Sequence, residues 1–367
     1  MTTRREILQW AAALAALPSV ARAAGAIESS PKPLDILFLG GTGFLGPHQV
    51  EYALARGHRV TLFNRGQSAA GLYGNRVETL IGNRDANVAP GLAALAGKRR
   101  WDIVIDNSGY VPRHVRDSVA LLKDRADRYV FVSTVAAYDL AKGAEFDEGS
   151  PLRPLPDPPT EEVTSASYGA LKAECDRIVR DALGAKATIV RPTYVVGPGD
   201  DTDRFTYWVE QVARGGAVLG PPDPDVELQW IDVRDLCPWI VQLGERNQPG
   251  IFNASGPSKP MRWREVLQGL IPLATRPVQF HWATREVLEK TGVRLPLVRS
   301  GSMGTSPSVH FDGTKAARAG LVYRPLGDTA AATLAWWQAQ TPERRAKAEG
   351  WPSQEQLSRA LEMLRTP

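Results

Sequence analysis

The stretch Leu34-Asp35-Ile36-Leu37-Phe38-Leu39-Gly40-Gly41-Thr42-Gly43-Phe44-Leu45-Gly46 decides how the chain is read. Leu34 to Leu39 is a short apolar run of strand length. It passes directly into Gly40, Gly43 and Gly46, spaced three apart, and the helical stretch that follows ends near Arg56-Gly57. Glycine is required where backbone turns sharply from strand to helix and lets a pyrophosphate approach, the phosphate charge resting at the helix N-terminus. Spaced glycines alone would also suit an ordinary structural turn. Between the first strand and first helix of a β-α-β pattern they mark a dinucleotide loop, with Gly40, Thr42, Gly43, Phe44, Leu45 and Gly46 as its contacts.

Further strand-like runs occur at Arg59 to Asn64, Val77 to Ile81, Trp101 to Asp106, Arg128 to Ser133 and Ala187 to Arg191, with helical stretches between them. Strands spaced in this way need crossover helices, which predicts an α/β fold of Rossmann type: a doubly wound parallel sheet covered on both faces. Such sheets bind ligands at the carboxyl ends of their strands. Beyond about residue 200 the pattern becomes irregular and holds eight of the ten Trp residues, starting with Trp208. There we expect a smaller, discontinuous substrate region, 201–228 plus 255–345, against a dinucleotide-binding part made of 34–200 plus 229–254. Gln229 to Leu236 and Gly250 to Ala254 read as returns to the main sheet. Helices near Thr329 to Gln338 and Gln354 to Leu364 end the chain, the latter within a helical tail, 346–367.

The 367 residues, 43% hydrophobic and 23% charged, suffice for a substantial core. Of the net charge of +4, Arg4, Arg5 and Arg22 against Glu6 account for +2 within the first 23 residues. The remaining +2 gives no reason to expect a nucleic-acid partner. Cys175 and Cys237 are too few for a disulfide framework, and the five His residues lack metal-ligand spacing, so no bound metal is expected.

Thr3-Arg4-Arg5-Glu6-Ile7-Leu8, an apolar run from Trp10 to Val20 and Ala21-Arg22-Ala23 resemble a twin-arginine signal over 1–23. The alternative is a short amphipathic helix. The signal implies recognition by the twin-arginine export machinery and a periplasmic or secreted protein; its apolar run is too short for a stable membrane span. Export in the folded state suits a protein that takes up its cofactor in the cytoplasm.

Where NAD-specific sites carry an acidic residue at the end of the second strand, this chain has Phe63-Asn64-Arg65-Gly66. No carboxylate there repels a 2′-phosphate and Arg65 can pair with one, which tilts NAD(P) toward NADP; an exposed Arg in a turn is the competing reading. Asn64 is a further cofactor candidate. So is Asp85, following the third strand, for the adenine edge.

Tyr168-Gly169-Ala170-Leu171-Lys172 sets a phenol and an ammonium four apart, on one helix face. A free Tyr has a pKa near ~10, and a nearby cation favours the phenolate and brings proton exchange toward working pH. Lys172 can also hold the cofactor ribose. The pair follows by one strand-to-helix unit the run Tyr129-Val130-Phe131-Val132-Ser133-Thr134, whose hydroxyls end the fifth strand. A hydroxyl there can bond the reacting oxygen while Tyr168 moves the proton and the cofactor the hydride. Asn107, in the polar strand end Asp106-Asn107-Ser108-Gly109-Tyr110, is a candidate hydrogen-bond donor; an ordinary polar strand end is the alternative.

Gly40-x-x-Gly43-x-x-Gly46, Ser133-Thr134 before Ala137-Tyr138, Tyr168-x-x-x-Lys172, Arg191-Pro192 before Gly197-Pro198-Gly199, and Trp230-Ile231-Asp232-Val233-Arg234-Asp235-Leu236 together resemble the extended short-chain dehydrogenase/reductase superfamily, in its NAD-dependent epimerase/dehydratase group. The likeness covers most of 34–256. It implies an NAD(P)-dependent oxidoreductase with Thr134, Tyr168 and Lys172 as catalytic set, Ser133 beside them, Pro192 near the cofactor and a possible homodimer.

The chain also departs from that pattern. In the UDP-galactose 4-epimerase branch an Asn after Arg191 and an Arg before the Val-x-Asp segment help hold the diphosphate; here the matching positions are Tyr194 and Leu228. The 4,6-dehydratase branch follows its Thr with Asp-Glu, where Thr134 precedes Val135-Ala136. The expected substrate is therefore a secondary alcohol or ketone of a sugar-like molecule other than a nucleotide sugar. Tyr194, Arg204, Tyr207, Trp208 and Trp230, with Trp282, are candidates to line its pocket, although aromatics of this kind more often fill a core. Two other readings are an NADPH-dependent ketone reductase and, because Leu62-Phe63-Asn64-Arg65-Gly66 also resembles chloroplast stem-loop-binding relatives, a cofactor-sensing or RNA-binding protein.

Overall fold

In strands β1 (Asp35–Leu39), β2 (Arg59–Asn64), β3 (Glu78–Ile81), β4 (Trp101–Asp106) and β5 (Ala126–Val132), successive side chains point to opposite faces, and in most of these strands both faces are buried. Ile36, Phe38, Val60 and Ile103 meet the helices Leu45–Ala55 and Val233–Glu245 on one side. Leu37, Phe63, Val104 and Phe131 meet Pro112–Leu122 and Tyr168–Leu183 on the other. The near-continuous apolar runs of the sequence follow from this double burial.

The computed structural model describes residues 27–67, 71–298, 309–348 and 350–365, so the export segment expected over 1–23 lies outside the described residues. Beyond β5 come β6 (Glu145–Phe146), β7 (Ala187–Pro192), β8 (Tyr194–Val196), β9 (Gly216–Gly220), β10 (Glu227–Asp232), β11 (Gly250–Ala254), β12 (Gly256–Arg262), β13 (Val278–Trp282) and β14 (His310–Phe311). Seven strands form the main sheet in the order β11-β7-β5-β4-β1-β2-β3, every neighbour parallel. This is a Rossmann-type α/β fold. Chain order reverses between β1 and β4, so a crevice opens at their carboxyl ends.

Gly250 to Ala254 does join this sheet, beside β7. Gln229 to Leu236 does not. Its β10 pairs with β8 and β12 in a separate three-stranded sheet, because the place beside β7 is taken by β11 and the chain leaves β7 at Thr193 to start a new sheet at β8. Asp232 then caps the helix Val233–Glu245, its carboxylate accepting Arg234 N at 2.8 Å and pairing with Arg234 and Arg324.

A second core lies around β8 and β10. Tyr207, Trp208 and Trp230 are buried in it, Trp230 stacked on Phe205 at 6.4 Å and Trp208 donating to Pro296 O at 2.8 Å. The chain-terminal helix Gln354–Met363 packs into the same core through Leu357 and Ala360. Among the described residues no helix is long and apolar enough to cross a membrane.

Candidate active site

Gly40 and Gly41, at φ +110° and +96°, turn the chain out of β1. At Gly46 a Cβ would lie 2.2 Å from Gly41 C, so the helix can start against the loop only because this residue is glycine. At Gly43 a Cβ would meet nothing within 4 Å, which leaves the loop open toward a cavity of about 1380 Å³. That volume exceeds the ~300–1,000 Å³ of a single small-ligand site. Gly40, Gly43, Phe44, Leu45, Gly46, Asn107, Ser133, Thr134, Tyr168, Lys172, Pro192, Tyr194 and Arg204 all line it, brought together from the ends of β1, β4, β5 and β7 and the loops that follow.

Tyr168 opens its helix, held by its own N–H to Thr164 O at 2.9 Å, while Ser167 Oγ donates to Glu162 O at 2.6 Å. The next residue sets how near this helix comes to β5. A Cβ on Gly169 would sit 2.2 Å from Ala136 O, so glycine lets the helix rest on the Ser133-Thr134 loop. The Tyr168 phenol shares the cavity wall with Thr134, near enough for that hydroxyl to act on it, and lies 6.3 Å, ring to ring, from Tyr110. Burial pushes its pKa up to about 12, with Tyr110 adding to the rise and the Thr134 hydroxyl and the Arg204 guanidinium drawing it down.

Lys172 is buried one turn on, donating from Nζ to Gly109 O and Val132 O, both at 2.7 Å, and lying 4.2 Å over the Phe131 ring. Desolvation lowers its pKa to about 8 against the raising influence of Cys175, Asp106 and Asp176. The Lys172 ammonium is thus tied to the two strand-end carbonyls, one helical turn from the Tyr168 phenol it was expected to act on. Beneath it Asp106 is buried in a bidentate pair with Arg84, at 2.7 and 3.0 Å, and accepts the Tyr129 hydroxyl at 2.8 Å.

Ser133 Oγ and Asn107 Oδ1 are buried without a hydrogen-bond partner among the described residues. Together with the open glycine cradle, they fit a dinucleotide whose ring end reaches Ser133 and Asn107.

Other predicted residues lie elsewhere. Asp85 is off the cavity wall: Arg113 captures its carboxylate at 2.7 and 3.2 Å and holds it well below the usual carboxylate range. Thr42, Asn64 and Arg65 also lie off the wall, Arg65 exposed and Asn64 accepting Gly66 N at 2.8 Å. Tyr207, Trp208 and Trp230 belong to the second core because their rings pack on one another and on Trp263 and Phe205. Sequence reasoning missed Tyr110, Asp200, Asp201, Thr202 and Glu227, which line the cavity. A signal existed for the central three, since they directly follow Gly197-Pro198-Gly199 beyond β8.

Residues 36–255 match the model of the NAD dependent epimerase/dehydratase family. Among curated relatives, the chain is 24% identical over 243 residues to the chloroplast stem-loop binding protein of 41 kDa b of Arabidopsis thaliana, covering 60% of this chain and 58% of the relative. It is 27% identical over 172 residues to UDP-glucose 4-epimerase 4 of Oryza sativa subsp. japonica, covering 40% and 44%. The match thus spans about half the length of each. Among solved structures, UDP-glucuronic acid 4-epimerase from Bacillus cereus in complex with NAD superposes with a TM-score of 0.61 at 15% identity, over 84% of this chain and 99% of that one, which speaks for the fold. With the family model spanning well over half of the residues, this chain belongs to the NAD dependent epimerase/dehydratase family.

Proposed function

We propose that the protein is an epimerase-type oxidoreductase acting by hydride transfer on a secondary alcohol or ketone of an uncharged, sugar-like molecule rather than a nucleotide sugar. The observation that carries this reading is that Thr134, Tyr168 and Lys172 line one cavity with the glycine loop. Tyr168 exchanges the proton of the reacting oxygen, the Thr134 hydroxyl bonds that oxygen, and Lys172 holds the strand ends Gly109 and Val132 together beneath them. A bound nicotinamide supplies the hydride chemistry.

The relatives named for UDP-sugars favour a nucleotide sugar. Against it, the carboxylates of Asp200, Asp201 and Glu227 on the cavity wall offset the charges of Arg153, Lys172 and Arg204, so the described lining offers a diphosphate no net positive charge. By the sequence comparison Tyr194 and Leu228 take the place of the donors of the UDP-galactose branch, so a diphosphate lacks those partners. The stem-loop-binding relative supports a second reading, RNA binding. The intact Thr134, Tyr168 and Lys172 favour catalysis; salt-sensitive stem-loop RNA binding that survives Tyr168→Phe would reverse that judgement.

Export by the twin-arginine route is part of the proposal. Outside the cytoplasm free cofactor is scarce, so a reaction that returns its own hydride can run on one retained nucleotide. The test is to purify the mature protein without added cofactor, denature it and identify the released nucleotide by mass spectrometry. The expected result is a stoichiometric nucleotide, and NADP in that fraction supports the preference read from the missing carboxylate at the end of β2. An empty site that binds NADPH reversibly overturns the retained-cofactor cycle in favour of a simple ketone reductase.

A further inference from the structure

The loop after β8 holds a carboxylate that the mechanism above does not use. Asp200 is 1% exposed and lines the cavity. Its Oδ1 accepts two bonds, from Thr202 N at 3.0 Å and Thr202 Oγ1 at 2.6 Å. Thr202 Oγ1 in turn accepts Arg204 Nε at 2.9 Å, and the Arg204 guanidinium sits 5.2 Å over the Tyr194 ring. One oxygen is therefore fixed by a relay of cavity-wall residues. The other, Oδ2, is buried with no partner among the described residues.

We propose that Asp200 is the substrate-recognising carboxylate of this site, Oδ2 accepting a hydrogen bond from a hydroxyl of an uncharged polyol placed against Tyr168; this rests on the function proposed above. A buried acceptor without a donor is unfavourable, and the described residues supply no donor, which leaves that place to the ligand. A polyol hydroxyl donates. The diphosphate of a nucleotide sugar offers only acceptors and like charge, and the neighbouring Arg204 disfavours an ammonium. Burial raises the Asp200 pKa to about 6 against the Thr202 bonds and Arg204, with Asp201 adding to the rise, so the group is mostly ionised at pH 7.5.

The experiment is saturation-transfer NMR on the full chain loaded with NAD, with myo-inositol and D-glucose as probes and UDP-glucose as counter-probe. Wild type is expected to bind at least one polyol and to bind UDP-glucose more weakly. Asp200→Asn, which keeps an acceptor for Thr202 but removes the charge, is expected to bind that polyol about tenfold more weakly with NAD affinity unchanged; Asp200→Ala should abolish the signal. Polyol binding absent from wild type, equal in the three proteins, or outcompeted by UDP-glucose overturns the proposal. A separate readout tests the underlying function: Asp200-dependent polyol binding with neither an epimer formed, by NMR of the sugar, nor a change at 340 nm leaves the site standing and defeats the hydride-transfer reading.

Discussion

Tyr168, Lys172 and Asp200 share one property: burial displaces each toward its neutral form, to about 12, about 8 and about 6. For Asp200 the folded value lies above the ordinary 3.8, so the folded protein holds this proton more tightly than the unfolded chain. That contribution is fully present below about pH 4 and is lost as pH rises through about 6. Above that, a buried charge weighs against folding. Asp200→Asn should therefore stabilise the protein by roughly 1–3 kcal/mol at pH 8, with the gain vanishing near pH 4, as thermal melts at the two pH values would report. A residue that weakens the fold at working pH is kept for what it binds.

At the scale of elements, the approach of the Tyr168 helix to the end of β5 sets the geometry of the site. Gly169→Ala brings a methyl to 2.2 Å from Ala136 O and forces the helix away from the Thr134 loop. We expect a loss of about 1–3 kcal/mol in urea unfolding and a fall in turnover, with NAD affinity, carried by the glycine loop on β1, little changed in calorimetric titration. The elements of the main sheet were legible because apolar side chains on both strand faces leave an uninterrupted run, and because turn glycines mark where β1 ends. The small sheet was not legible. Whether β10 joins β7 or β8 depends on where β11, beginning 18 residues after β10 ends, comes to lie.

At the scale of the whole molecule, the C-terminal segment braces the cavity loop. Asp203, with φ +52° and a buried carboxylate, takes Arg344 at 2.7 and 2.9 Å, and its carbonyl accepts Trp351 Nε1 at 2.9 Å. Residues Asp200 to Arg204 are thus held from behind by a part of the chain some 140 positions away. Removing the guanidinium strands a buried carboxylate, so Arg344→Ala should lower stability by on the order of 3 kcal/mol in urea unfolding, with the unfolding slope unchanged if the transition stays two-state.

The sequence by itself determined the parallel sheet, the glycine loop and the pairing of Tyr168 with Lys172 on one helix face. These are written locally, in strand periodicity, in residues that only a tight turn tolerates, and in a four-residue helical spacing. Tertiary structure alone decided which aromatics face ligand and which face each other, that Arg113 withdraws Asp85 from the cavity, and that Asp200 stands on its wall. Those outcomes turn on partners far apart in the chain competing for the same charged or apolar surface, and spacing along a sequence carries no record of which partner wins.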